Sequence, residues 1–216
     1  MNFINTVVNF FVGGGYWMYP ILLVGAIGIS IAIERFITLS RIESANRKMW
    51  DQLQPVLNRG DFDKARQMTA NDKSTVSQLL QASLELQGAV RRRPEIEVVM
   101  EEEMMVLVPQ LEKRIPYTAL FANLATLLGL LGTVMGLINA FFAVANAAPA
   151  EKSSLLSSAI AEAMNCTSFG LMVAIPMLAI NLFLSTKASH IIDSLEIISL
   201  KVMNIIARSA ARSQSD

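Results

Sequence analysis

Two stretches decide how this chain folds: ANLATLLGLLGTVMGLINAFFA at residues 122–143 and IAEAMNCTSFGLMVAIP at residues 160–176. The first lies within an uncharged run from Ile115 to Ala150. Two more such runs extend from Met1 to Ile33 and from Ala163 to Thr186. Each exceeds the roughly 20 residues that carry an α-helix across a bilayer. Within the first stretch, Ala122, Ala125, Gly129, Gly132, Gly136, Ala140 and Ala143 recur every three or four residues. That spacing is one face of a helix. A face of small residues lets another backbone approach closely, so Gly129, Gly132 and Gly136 are predicted packing positions. Asn123, Thr126 and Thr133 form a narrow polar track beside them.

The second stretch carries Glu162, Asn165, Cys166, Thr167 and Ser168, then Gly170, Ala174 and Pro176. Glu162 falls about two turns inside the expected outer boundary. A carboxylate inside a membrane is costly and marks a functional site by default. Thr167, Gly170 and Ala174 share a face. Hydroxyls on that face relay hydrogen bonds without carrying charge. Gly170 and Pro176 join the predicted packing positions, and Pro176 is expected to kink its helix by removing a backbone donor. Plainer readings stand beside these. A threonine in a membrane helix commonly bonds the carbonyl four residues back. Glu162 at headgroup level would pair with Lys152. Cys166 reads as a small packing residue, His190 as interfacial or solvated, and the methionines as fillers of helix packing.

Composition agrees with a membrane protein. The 216 residues are 53% hydrophobic and 17% charged, with zero formal net charge, against roughly 25% charged in soluble domains. Mean hydropathy is +0.44. This composition argues against a soluble globular enzyme, and against a nucleic-acid binder, which needs a basic surplus. The single cysteine rules out an internal disulfide and a cysteine-cluster metal site. No nucleophile–base pair, phosphate loop or metal-ligand spacing appears, so no enzyme activity, cofactor or metal is expected.

The expected architecture is all-α. An N-terminal segment at 1–15 includes an alternating apolar–amide stretch at 2–11 and ends in Gly13-Gly14-Gly15. The aromatic belt of Tyr16, Trp17 and Tyr19 follows. Transmembrane helices are predicted at 16–38, 118–144 and 156–186, with a short loop at 145–155. Residues 39–117 read as a helical domain into which the long helices extend. Within it, Asn58-Arg59-Gly60-Asp61 is a turn and a helix start, another helix covers 74–89, and a further one runs toward the second span, bent at Pro109 and Pro116. The arginine run at 91–93 reads as a solvated loop. Residues 187–216 show Ile191, Leu195, Ile198, Val202 and Ile205/Ile206 at helical spacing, an amphipathic helix. Twelve of the eighteen Lys and Arg residues fall in 38–118 and four in 187–216. The positive-inside rule therefore places the N-terminus and short loop outside, and the large loop and C-terminus in the cytoplasm.

GLLGTVMG at 129–136, followed by Phe141, resembles the second-span signature of the MotA/TolQ/ExbB proton-channel proteins. IAEAMNCTSFGLMVAIP at 160–176 resembles their third-span signature, an acidic residue ahead of a Thr, a Gly and Ala-Ile-Pro. WMYPILLVGAIGISIAIERFITL at 17–39 resembles their first span, ending in Glu-Arg. The resemblance covers most of residues 16–186 and is nearer the three-span ExbB and TolQ type than the four-span MotA type. It implies a homopentamer in a bacterial inner (cytoplasmic) membrane, surrounding two copies of a single-span ExbD/TolR-type subunit. That partner supplies the ion-binding Asp, which the spans of this chain lack. Ion flow would drive rotation and work on a TonB- or TolA-like protein. By position, Thr133 and Thr167 match the two pore threonines and Glu162 the third-span acidic residue. Asn165-Cys166 departs from the aliphatics or Ala of many relatives, and Asn165 adds an amide beside the path. The expected ion pathway thus comprises Thr133, Thr167, Glu162, Asn165 and Thr126, with the ion, proton or sodium, left open. Two other classes compete: a solute-transporter subunit, which should show more spans and inverted repeats, and a membrane scaffold. A scaffold explains the glycine stripe but not the polar groups.

Overall fold

The computed structural model describes residue 10, residues 13–85 and residues 93–212. The alternating stretch at 2–11, apart from Phe10, and the first two arginines of the 91–93 run lie outside them. The described residues are mostly helical: α1 (Met18–Asn58), α2 (Phe62–Ala70), α3 (Thr75–Glu85), α4 (Arg93–Glu112), α5 (Ile115–Ala145) and α6 (Lys152–Arg212). Three helical stretches are long and apolar enough to cross a membrane. The protein is thus a multi-pass membrane protein whose long helices run well beyond the apolar spans.

The chain divides into two compact units. The first comprises Met1–Glu34 and Arg114–Phe183. Its buried centre is Ile21, Ala122, Ala125, Cys166, Ala174 and Met177, with Trp17, Phe121 and Phe169 packed against it. Alanines and one cysteine dominate, because hydrocarbon offers no hydrophobic drive between helices. Close backbone approach and dispersion supply the cohesion instead. Large apolar side chains such as Leu23, Leu127, Phe142, Met172 and Ile175 point outward, the reverse of a soluble domain.

The second unit comprises Arg35–Lys113 and Leu184–Asp216, and it is built in the ordinary sense. Leu53 and Leu57 of α1, Leu79, Leu80 and Leu84 of α3, and Leu195 and Val202 of α6 are fully buried. The amphipathic pattern read from 187–216 holds: Ile191, Leu195, Ile198, Val202 and Ile206 are all buried. The turn at Asn58–Asp61 also forms. Gly60 takes a left-handed φ of 77°, and the Asp61 carboxylate accepts the Lys64 N–H at 3.2 Å, capping α2. Asp72 organises the entry to α3. Its carboxylate accepts the Ser74 N–H at 2.9 Å and the Ser77 hydroxyl at 2.8 Å. Burial pushes the Asp72 carboxyl up, but these bonds, with those from the Ser74 hydroxyl and the Lys73 N–H, outweigh it and hold the carboxyl below its ordinary value. Asn46, buried on α1, accepts the Val76 N–H at 3.2 Å. Arg66 closes the other end by donating to the Leu84 carbonyl at 2.7 and 3.3 Å. Lys187 of α6 pairs with Glu43 of α1 at 2.8 Å and lies over the Phe36 ring.

The helical run before the second span is interrupted between Pro109 and Pro116. Pro109 sits inside α4, where the carbonyl it leaves without a partner belongs to the strongly exposed Met105. Pro116 occupies the first turn of α5, where its missing N–H would have been unpaired anyway. The break falls at Arg114, with a left-handed φ of 65°.

Candidate functional site: a threonine pair between two spans

Helices α5 and α6 meet along the small-residue stripe. A methyl group on Gly129 would stand 3.3 Å from the backbone of Cys166, Thr167 and Gly170. One on Gly170 would stand 2.6 Å from the Ala125 carbonyl oxygen. Gly132 faces the Cys166 sulfur and Trp17, and Gly136 faces Ala163. Four of the seven small positions therefore press directly on α6, while Ala143 is exposed. Pro176 lies on an exposed face, and α6 continues through it.

This register sets Thr133 beside Thr167. Their hydroxyls are in direct hydrogen-bond contact. The Thr167 hydroxyl donates to the Gly129 carbonyl at 2.9 Å, across the interface. The Thr133 hydroxyl reaches that same carbonyl, four residues back on its own helix, at 3.1 Å. It also reaches the Ala163 carbonyl of α6 at 3.3 Å. Ala163 is the residue four back from Thr167. The ordinary local bond of a membrane threonine is thus extended into a cluster that crosses between helices. Thr133 has one proton and three acceptors within reach, so its hydroxyl can turn among them. Both side chains are half-buried, so one side of the pair opens on the surface of the chain.

The remaining candidates lie elsewhere. The Thr126 hydroxyl stays on its own helix, donating to the Ala122 carbonyl at 3.3 Å. Glu162 is exposed, and its carboxylate lies against Gly15. The Asn165 amide donates to the Gly13 carbonyl at 3.3 Å. The structure therefore joins Thr133 with Thr167, and Glu162 with Asn165 at the turn preceding α1. Cys166 is buried against Gly132. Among the described residues no group of His, Cys, Asp and Glu side chains is placed to hold a metal ion.

A second polar cluster escaped the sequence reading. The Asn181 amide donates to the Thr118 hydroxyl at 2.7 Å and the Ile115 carbonyl at 2.9 Å, and the buried Thr118 hydroxyl donates to that carbonyl at 2.7 Å. The cluster ties the first turn of α5 to α6. Asn181 lies in the uncharged run 163–186, and an amide there was signal enough. Nearby, Arg114 pairs with Glu34 at 3.4 Å.

Residues 71–197 match the family described as the MotA/TolQ/ExbB proton channel family, more than half of the chain. The chain belongs to the MotA/TolQ/ExbB family. The matched segment contains the whole of the α5–α6 interface and all five expected pathway residues. A Methanothermobacter thermautotrophicus protein described as a biopolymer transport protein ExbB homolog is 26% identical over 200 residues, covering 92% of this chain and 70% of that one. For a MotA/TolQ/ExbB protein, a general role in ion-channel and transport function follows from the family, and the family is not an enzyme class.

Proposed function

We propose that the chain is the pore-forming stator subunit of a proton-driven motor in the inner (cytoplasmic) membrane. It assembles as a homopentamer around two copies of a single-span ExbD/TolR-type subunit. That subunit brings the Asp that carries the proton. The assembly converts the ion motive force into work on periplasmic or outer-membrane systems, such as TonB-dependent import through a TonB- or TolA-like protein. The charge distribution supports an outside N-terminus and a cytoplasmic C-terminus.

The observation that carries this reading is the threonine pair. A protonated Asp is neutral and passes an apolar wall, whereas an ionised one needs donors. Two hydroxyls at one level of the span supply them without a fixed charge that would trap the ion. Because Thr133 has more acceptors than protons, it can turn toward an arriving carboxylate without orphaning a backbone group. The driving force is about 2.3 kcal/mol per elementary charge per 100 mV. A second observation supports assembly. Asn123, Asn139 and Ser168 lie exposed on otherwise apolar spans, and polar side chains facing lipid are expensive. Protein or water covers them. A scaffold would need the glycine contacts but would be indifferent to the hydroxyls.

The test is the double substitution Thr133→Val, Thr167→Val, read as proton flux and ion-driven work in native membranes. An interhelical hydrogen bond in a membrane contributes about 0.6 kcal/mol, so the variant folds. Losing hydrogen bonds to a charged group forfeits about 1.5–3 kcal/mol, and flux falls roughly ten- to hundredfold. Unchanged flux contradicts the reading.

A further inference from the structure

The turn that precedes α1 does more than begin a helix. The Met18 N–H donates to the Gly15 carbonyl and the Tyr19 N–H to the Tyr16 carbonyl, each at 3.3 Å, turning the chain into the first span. Gly15 has a left-handed φ of 72°, and any side chain there would run into the Glu162 carboxylate. Three residues along α6, the Asn165 amide holds the Gly13 carbonyl at 3.3 Å. Residues three apart on a helix are neighbours on its surface, so α6 meets this turn at two adjacent points, by a hydrogen bond from Asn165 and by the close approach of the Glu162 carboxylate. A glutamate exposed on a helix samples several rotamers. Here the space left by the missing Cβ of Gly15 takes the carboxylate, immediately ahead of the first turn of α1. The dipole of a helix start favours a negative group there.

We propose that the Gly13–Gly15 turn is the seat of the Glu162 carboxylate, and that Gly15 is a positioning residue for the ion path. The inference rests on reading Glu162 as a member of that path. Gly15 touches no ion. It acts by fixing where the Glu162 carboxylate stands, and Asn165 acts by holding the turn in place. The left-handed backbone favours glycine there, and a Cβ at that point would displace the end of the Glu162 side chain.

Gly60 supplies the control. It too is left-handed, at a φ of 77°, yet nothing lies within 4 Å of where its Cβ would stand. Gly60→Ala therefore brings backbone strain alone, and Gly15→Ala brings the same strain plus displacement of the carboxylate. Full-length protein in nanodiscs, labelled with ¹³C-carboxyl glutamate, gives the first readout. The Glu162 resonance is identified by its loss in Glu162→Gln. It moves in Gly15→Ala and in Asn165→Ala and stays in place in Gly60→Ala. Proton flux in native membranes gives the second. Gly15→Ala lowers it several-fold in the wild-type background and adds no loss in the Glu162→Gln background, because only the carboxylate was being placed. A resonance unmoved by Gly15→Ala overturns the seat. Losses that multiply overturn the positioning role. If the resonance moves but Glu162→Gln leaves flux at the wild-type level, Glu162 is off the path and the role of Gly15 falls with it, while the threonine pair stands on its own test.

Discussion

At the scale of single residues, Thr133 and Thr167 show what a sequence can and cannot carry. Both were legible as polar groups in uncharged spans. That they touch was not, because they are 34 positions apart and their meeting depends on how two helices slide against each other. Thr126 shows the converse. It reads the same way in sequence, yet its hydroxyl simply bonds its own helix at Ala122. Asn181 was passed over although its amide ties α5 to α6 through Thr118 and Ile115. Asn181→Leu removes both bonds and leaves the buried Thr118 hydroxyl with its own-helix carbonyl alone. Thermal unfolding in detergent should show a loss of about 1 kcal/mol, within the range for interhelical bonds in membranes. Asp72 gives a pH prediction. Its folded-state carboxyl titrates below the ordinary value of 3.8, so its contribution is complete above that pH and is lost as pH falls through the lower, folded value. Amide protection of Ser74 and Ser77 is expected to be constant from neutrality down to about pH 4 and then to drop. In Asp72→Asn it is lower at neutral pH and flat across the same range.

At the scale of elements, the glycine stripe fixes the register that the threonines need. Periodicity revealed the stripe because every third or fourth residue of a helix shares a face. It did not reveal the partner, which proves to be Ala163, Cys166, Thr167 and Gly170 of the same chain. The sites along it are not equivalent. A Cβ on Gly170 meets the backbone oxygen of Ala125 at 2.6 Å, which cannot yield, whereas one on Gly136 meets a methyl group at 3.2 Å. Gly170→Ala should therefore lower unfolding stability by about 1–3 kcal/mol, the usual scale for overpacking, and Gly136→Ala by clearly less. Equal losses would mean that α5 and α6 are not in this register. The break between α4 and α5 was not legible. Pro109 lies within α4, and Pro116 lies in the first turn of α5, where its missing N–H costs nothing. The left-handed Arg114 carries the break, and arginine gives no sequence signal for that conformation.

At the scale of the whole molecule, three spans and a helical second unit were written plainly in charge-free runs and amphipathic spacing. What faces the exposed Asn123, Asn139 and Ser168 was not. In a bilayer those side chains demand protein or water, and the half-buried threonine pair faces the same demand. In the proposed assembly, neighbouring copies and a partner that brings its own carboxylate meet both demands. Native mass spectrometry of the tagged protein, extracted gently from its own membrane, tests that assembly most directly. The expected result is five copies of this chain with two copies of a small single-span protein whose span contains an Asp. A monomer or dimer with no single-span partner, across several mild detergents, would contradict it.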